Sequence, residues 1–266
     1  MLGLVLGGGA AKGYAHIGVI KLLEELNIKP QIVVGASMGT LIGGFYVKNY
    51  SAQQMADIAL KIDKKKKKEL FKIHLSKRGF IDGRNLTKFL MKYLGNTKIE
   101  ELPVKYASVA TDIEENSEIV IDRGDLVQAI RSAIAIPVVF TPNKYKGRVL
   151  IDGGFINPLP VDVAKMLGAK KIIAVNVLPK FEYPRIEISP VNSSGKSYNI
   201  KEIFIKSFYL ISSRLIDYEI ERLNGGLLIN IDTTSIGMSQ FEKAKEAIEI
   251  GYRQAQRYKK ELLSII

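Results

Sequence analysis

The sequence predicts an α/β fold in which a parallel-rich central sheet is flanked by helices on both faces. The chain opens with an apolar run at residues 2–6, a glycine loop at 7–13, an amphipathic helix pattern at 14–26 and a second apolar run at 32–34. Strand, loop, helix and strand in this order form a βαβ unit, whose two strands are parallel. A further uninterrupted apolar run at 171–177 is typical of an interior strand covered on both faces.

Length and composition favour one large globular unit, so we expect residues 1–266 to form a single domain. Of the 266 residues, 47% are hydrophobic, which is enough for a sizeable core. Lys and Arg number 39 against 27 Asp and Glu, and a net charge of +12 attracts an anionic surface, whether phospholipid or nucleic acid. The absence of Cys excludes disulfides and thiolate metal sites, and with two His we expect no metal or cofactor.

The other elements are predicted from apolar periodicity and from residues that start or stop helices. Ser51 and Gln54 form a capping-box pattern, Asp82 is a helix-capping candidate, and Pro137 stops a helix. The predicted helices are 39–50, 51–62, 82–94, 125–135, 161–167, 199–223 and one from 239 onward, and the predicted strands are 104–112, 117–122, 148–151, 171–177 and 227–231, with a long Pro- and Ser-containing loop at 179–197.

Two segments bear on location. The apolar N-terminal run lacks a cationic lead and enters a glycine loop, which favours a buried strand over a signal peptide. No apolar run reaches the roughly 18 residues that a transmembrane helix needs, so we expect a cytoplasmic protein. Residues 64–78, from Lys64 to Arg78, interleave cations with apolar residues. Such a stretch is more often a solvated charged face, and peripheral binding to an anionic membrane is the functional alternative.

A Gly-x-Ser-x-Gly turn centred on Ser37 joins the second strand to a helix. Side chains at Gly35 and Gly39 would collide with neighbouring backbone at such a turn, which pushes the serine out of the sheet. The following helix presents the Met38 amide and its positive end beside Ser37, where an oxyanion would form during attack on an ester. Taken alone, the pattern also fits a plain glycine-rich turn.

The glycine loop after the first strand does not match a nucleotide site. The dinucleotide pattern needs a third glycine where Lys12 lies and an acidic residue at the end of the second strand, where Gly35 lies. A phosphate-binding P-loop needs Lys and then Ser or Thr after Gly13, but Tyr and Ala follow. The loop is either a second source of oxyanion donors or a tight turn required for packing.

A serine nucleophile needs a base, and the candidates are few. In the α/β-hydrolase order the histidine follows the acid, but the two histidines are His16 and His74. His16 lies early in a helix, where packing or a surface hydrogen bond is the expected role, and His74 lies among cations. Asp152 ends an apolar strand and precedes two glycines that let a second backbone approach, although an Asx turn explains the same residues.

Several separated pieces of the chain, in this order, resemble the patatin-like phospholipases, a family of serine lipid acyl hydrolases. The match covers about residues 2–178. The pieces are Gly8-Gly9-Ala10-Ala11-Lys12-Gly13 with Ala15-His16-Ile17-Gly18, then Gly35-Ala36-Ser37-Met38-Gly39, Arg131-Ser132-Ala133-Ile134-Ala135-Ile136-Pro137, and Asp152-Gly153-Gly154 with Asn157-Pro158.

The resemblance implies a patatin-like fold and a Ser37–Asp152 dyad that works without histidine. It also implies that the loop at Gly8 and Gly9 forms the oxyanion hole with the Met38 amide.

Two residues of the loop call for comment. Lys12 takes the place of the family's basic residue. Ala10 stands where the family has a third loop glycine and hinders a positive φ there. The helical C-terminal extension, about residues 179–266, carries no function implied by the resemblance.

The sequence therefore predicts a hydrolase of phospholipid or other lipid carboxylic esters that uses an acyl-enzyme intermediate. A lipid ester is the expected substrate, and no nucleic acid partner is expected. The alternatives are an acyltransferase and a catalytically idle, membrane-peripheral binding or regulatory protein. The oligomeric state is left open.

Overall fold

The computed structural model describes residues 1–70, 81–178 and 197–265, and the elements below are those of these ranges. The strands are β1 (Leu2–Leu6), β2 (Ile32–Ala36), β3 (Lys105–Asp112), β4 (Ser117–Ile121), β5 (Asn143–Tyr145), β6 (Arg148–Asp152), β7 (Lys171–Asn176) and β8 (Leu227–Asn230). The helices are α1 (Ala15–Glu25), α2 (Met38–Val47), α3 (Ala52–Leu60), α4 (Lys64–Leu70), α5 (Arg84–Leu94), α6 (Leu126–Ala133), α7 (Val161–Met166), α8 (Ile200–Leu223), α9 (Ala244–Ala255) and α10 (Lys259–Ser264).

The strands form one mostly parallel sheet, as the sequence predicts. Its order is β5-β6-β3-β2-β1-β7-β8, and β4 pairs with β3 off this path. The pairs among β3, β2, β1, β7 and β8 are parallel, whereas β4, β5 and β6 pair antiparallel. The parallel part therefore contains β1 and β2, whose carboxyl ends carry the glycine loop and Ser37.

Helices cover both faces of the sheet, which confirms the predicted architecture. Alternate residues of β1 enter different cores, because successive strand residues point to opposite faces. Leu4 and Leu6 pack with α1, α2, α6 and α9, whereas Val5 packs with α7 and α8. All three residues are fully buried.

The C-terminal extension is built into this fold on both sides. Strand β8 adds to the sheet beside β7, and α9 crosses α1 at close range. A Cβ atom on Gly18 would lie 2.2 Å from the Ile248 carbonyl oxygen, and one on Gly251 would lie 2.1 Å from that of Ala15. The crossing thus requires a glycine on each helix.

Helix starts follow the sequence in some places and differ in others. The capping box of Ser51 and Gln54 is present. Asp82 is not the N-cap of α5, because Gly83 occupies that position with φ 73°, although the Asp82 carboxylate accepts from the Arg84 amide at 3.0 Å. The predicted helix from residue 239 is present but begins two residues later, with a 3₁₀ turn at Phe241–Lys243 that leads into α9, because a tight turn precedes it. Hydrogen bonds from the Gln240 amide to the Gly237 carbonyl and from the Gly237 amide to the Gln240 side chain make a turn there.

Two elements were not predicted. Helix α4 forms within the lysine run, since the Asp63 carboxylate accepts from the Lys66 amide at 2.7 Å and satisfies a free donor of its first turn. Strand β5 pairs with β6 across a two-residue turn at Lys146 and Gly147, both with positive φ. Such turns are usually recognised from Asn-Gly or Asp-Gly, and Lys-Gly gives a weaker signal.

Candidate active site

Ser37 lies at the sharp turn between β2 and α2. Its φ of 50° and ψ of −122° are strained for a residue with a side chain. The two glycines of the motif are needed for the reason that the sequence suggests. A Cβ atom on Gly39 would lie 1.9 Å from the Leu6 carbonyl oxygen, and one on Gly35 would lie 2.3 Å from the Thr40 amide nitrogen.

Asp152, at the end of β6, meets Ser37 across 115 residues of sequence. The Ser37 hydroxyl donates to Asp152 Oδ2 at 2.7 Å, and the Gly154 amide donates to Oδ1 at 2.8 Å. A Cβ atom on Gly153 would lie 2.1 Å from the Val109 carbonyl oxygen, so the expected close approach of backbone is confirmed. The Asx turn is present as well, since one carboxylate oxygen makes the turn and the other faces the serine.

The environment of Asp152 makes its carboxylate a stronger base than an exposed one. The side chain is fully buried, and burial raises its pKa from 3.8 to about 7, against the opposing effect of the hydrogen bonds from Ser37 and Gly154. A carboxylate with such a pKa can accept and return a proton near neutral pH.

Gly8 lies directly against Ser37 but does not offer its amide to the site. A Cβ atom on Gly8 would lie 3.3 Å from Ser37 Cβ. The Gly8 amide donates to the Pro158 carbonyl at 2.9 Å, so the oxyanion role expected for this N–H is not supported. Gly8 instead provides the space beside the serine.

Three other amides around Ser37 remain available. Within the described ranges, the N–H groups of Gly9, Ala10 and Met38 donate no hydrogen bond. Met38 is the first residue of α2, where an amide lacks a helical acceptor. Ala10 adopts φ 46°, so the strain anticipated at this position is present.

Lys12 connects the glycine loop to the C-terminal part of the chain. Its Nζ donates to the Thr233 carbonyl at 2.5 Å and lies 3.3 Å from Thr233 Oγ1, which itself donates to the Val177 carbonyl at 2.6 Å. The Lys12 amide donates to the Gly9 carbonyl at 3.0 Å. Burial lowers the Lys12 pKa, and the charge of Asp232 opposes that shift.

His16 has the packing role expected for it, but its hydrogen bond lies in the interior and not at the surface. Its ring is fully buried, and Nε2 lies 2.8 Å from the Gly7 carbonyl oxygen, to which it donates. Burial lowers the His16 pKa to about 4, so the ring is neutral at physiological pH. His74 lies outside the described residues.

An apolar pocket opens at Ser37 and extends away from it among α2, α3 and α5. The cavity volume is about 100 Å³. Apart from Ser37 and the hydroxyl of Tyr14, the side chains that line it are hydrocarbon or thioether groups. Such a pocket suits a flexible apolar ligand.

The lysine run is partly neutralised by ion pairs. Within the described part of the chain, Lys64, Lys65 and Lys68 form no ion pair, while the remaining cations of the segment at 72, 77 and 78 lie outside it. The paired lysines are Lys66 with Glu69 at 2.8 Å and Lys67 with Glu242 at 3.1 Å. Among the described helices, none is long and apolar enough to cross a bilayer.

Two contributors to the site were not singled out from the sequence. Pro158 fixes the Gly8 amide, and its only signal was its place in a motif quoted for the resemblance. Thr233 holds Lys12 from a loop after β8, and an isolated threonine there gives no local signal.

Comparison with known proteins identifies relatives of this chain. An uncharacterised NTE family protein of Mycobacterium tuberculosis is 35% identical over 174 residues, which are 65% of this chain and 48% of that protein. The lysophospholipase NTE1 of Lodderomyces elongisporus is 32% identical over 179 residues, 66% of this chain and 12% of that protein. The chain thus spans less than half the length of these curated relatives.

The fold is shared with a solved structure. The crystal structure of VipD from Legionella pneumophila superposes with a TM-score of 0.52 at 14% identity, covering 98% of this chain and 66% of that one. The sequence profile described as patatin-like phospholipase matches residues 4–165, which include both Ser37 and Asp152. Because this match covers more than half of its length, the chain belongs to the patatin-like phospholipase family.

Proposed function

We propose that this protein hydrolyses carboxylic esters of phospholipids or related lipids, with Ser37 as nucleophile and Asp152 as general base. The observation that carries the proposal is the 2.7 Å hydrogen bond from the strained Ser37 to a fully buried carboxylate whose pKa is raised to about 7. The family membership and the names of the relatives support the reaction class.

The first half-reaction acylates the serine. Ser37 Oγ bonds to the ester carbonyl carbon while its proton passes to Asp152 Oδ2, and the carbonyl oxygen becomes an oxyanion. The free amides of Gly9, Ala10 and Met38 stabilise that oxyanion, helped by the positive end of α2. When the intermediate collapses, the carbon–oxygen bond to the alcohol breaks and Asp152 returns the proton to the leaving alcohol.

The second half-reaction releases the acid. Water attacks the acyl-enzyme carbonyl carbon as Asp152 accepts one of its protons, and the same amides stabilise the second oxyanion. Collapse breaks the bond to Ser37 Oγ, which recovers its proton from Asp152. One carboxylate therefore serves as base and acid in both steps.

Membrane association is a second part of the proposal. The free lysines of α4 and the net charge of +12 favour an anionic surface, where a lipid substrate is found. We infer that the protein binds such a surface peripherally, from the cytoplasm.

The test is hydrolysis of a short-chain p-nitrophenyl ester and of phospholipid vesicles by the parent protein and four variants. Ser37→Ala should lower kcat by at least about 10³-fold and Asp152→Asn by about 10²–10⁴-fold. The matched controls are Ser108→Ala and Asp112→Asn. Ser108 is a buried serine whose hydroxyl has no partner among the described residues, and Asp112 is a buried aspartate that pairs with Arg148. Activity that survives Ser37→Ala would overturn the proposal.

A further inference from the structure

The apolar pocket follows one face of α2, starting at the serine. Four α2 residues line it at helical spacings of three, four and seven, which places them in one row along the helix axis. Because α2 begins immediately after Ser37, this row leads directly away from the nucleophile. The four residues are Met38, Leu41, Ile42 and Phe45.

Phe45 is the last member of this row, and aromatic side chains form the wall of the pocket there. Phe45 and Phe89 line the pocket, and the ring of Tyr93 lies behind both, with centroid distances of 6.0 and 5.0 Å. The Tyr50 ring lies 5.2 Å from that of Phe45, and its hydroxyl donates to the Tyr93 carbonyl at 2.8 Å. Phe45 is therefore held in place from behind and cannot easily swing away.

The distance between the serine and this wall sets a length. Phe45 follows Ser37 by eight residues, which corresponds to about 12 Å at the α-helical rise. Its side chain leans back towards the start of the helix and shortens this slightly. An extended hydrocarbon advances roughly 1.25 Å per carbon, so the row accommodates about eight to ten carbons.

We propose that this pocket binds the acyl chain of the ester and that Phe45 sets the longest chain it accepts, about eight to ten carbons. The inference rests on the proposed function, which puts the ester carbonyl at Ser37 Oγ. Each methylene buried before the wall should tighten binding about fourfold, and each one beyond it should add nothing.

The experiment has a kinetic and a binding arm. The kinetic arm measures kcat/KM for p-nitrophenyl esters with acyl chains of 4 to about 16 carbons. The binding arm measures, by calorimetry, the affinity of straight-chain primary alcohols of about 6 to 12 carbons for the Ser37→Ala protein, which needs no turnover.

We call the break the chain length beyond which a further methylene no longer raises kcat/KM or affinity. Two variants should move this break in opposite directions. Phe45→Leu shortens the wall residue and should move the break to longer chains by about two carbons. Leu41→Phe, one turn nearer the serine, should move it to shorter chains. Phe204→Leu on α8, which does not line the pocket, is the matched control and should leave it unchanged. Thermal melts verify that each variant is folded.

The outcomes separate the two proposals. The inference alone is overturned if hydrolysis depends on Ser37 but shows no break. It is also overturned if the break stays at the same chain length in Phe45→Leu and Leu41→Phe proteins that are folded. A break in alcohol binding that both variants shift, with no ester hydrolysis by the parent, overturns the proposed function while the pocket assignment stands.

Discussion

Asp152 shows how one buried carboxylate can favour chemistry at the expense of stability. In the folded protein burial raises its pKa to about 7, whereas an unfolded chain releases the proton near pH 4. Between these values the folded state binds more protons than the unfolded one. The free energy of unfolding therefore falls as pH rises through this window and levels off above pH 7.

Asp152→Asn should remove this dependence. The amide is neutral at every pH and has nearly the same shape as the carboxyl group. From pH 4 to pH 8 the free energy of unfolding should therefore fall less in the variant than in the parent, and the two decreases should differ by about 4 kcal/mol at most. Urea unfolding of both proteins at pH 4.5, 6 and 8 provides the measurement. If the two curves of stability against pH run parallel, burial has not raised the Asp152 pKa.

At the scale of single residues, the sequence predicted that Ser37 and Asp152 meet but not which amides are free. Ser37 and Asp152 were singled out because a serine nucleophile at a strand-to-helix turn would need a base and the histidines are badly placed, and the two side chains are hydrogen-bonded in the structure. The Gly8 amide was misjudged because its acceptor, the Pro158 carbonyl, comes from 150 residues downstream. Backbone pairing between distant segments leaves no local pattern in a sequence.

The glycine loop is held by an element that lies beyond the matched family profile. Lys12 reaches from the loop to Thr233, and the Ala11 amide donates to the Met238 carbonyl at 3.1 Å. The loop after β8 thus supports the segment that carries the Gly9 and Ala10 amides.

Thr233→Val should weaken this support. The substitution keeps the shape but removes the hydroxyl that donates to the Val177 carbonyl and faces Lys12 Nζ, so we expect about 1–3 kcal/mol of lost stability. We also expect a lower kcat, because the Gly9 and Ala10 amides that we propose as oxyanion donors would lose their fixed position. Ser235→Ala, an exposed neighbour, is the control for both urea unfolding and kinetics. An unchanged kcat in Thr233→Val would show that the contact serves the fold alone.

At the scale of elements, prediction succeeded where the pattern is local. The βαβ start and the Ser51 capping box are encoded within a few residues, and both are present. The late start of the C-terminal helical segment depends on a side-chain-supported turn at Gly237 and Gln240, and β5 depends on pairing with β6. Apolar periodicity reports neither.

The whole molecule combines the profile-matched part and the extension, and we propose that residues 1–266 form a single domain. The support is the addition of β8 to the sheet and the glycine-mediated crossing of α1 and α9. Both contacts bury apolar surface that either part alone would expose.

The net charge is also a property of the whole molecule. Whether the lysines of α4 contribute more than the other cations to membrane binding can be tested. Lys64→Glu with Lys65→Glu lowers the net charge from +12 to +8, because each substitution changes it by −2. Lys259→Glu with Lys260→Glu on α10 makes the same change elsewhere. If α4 faces the membrane, the first pair should weaken binding to anionic phosphatidylserine vesicles much more than the second, and added salt should weaken binding of the parent. Equal losses in a co-sedimentation assay would mean that net charge alone matters.

The most direct test of the dyad is covalent labelling by an alkyl fluorophosphonate, followed by intact mass and peptide mapping. We expect one adduct per chain on Ser37, none in Ser37→Ala, and labelling about 10²-fold slower or more in Asp152→Asn. An adduct on another residue, or an Asp152→Asn rate equal to that of the parent, would contradict it.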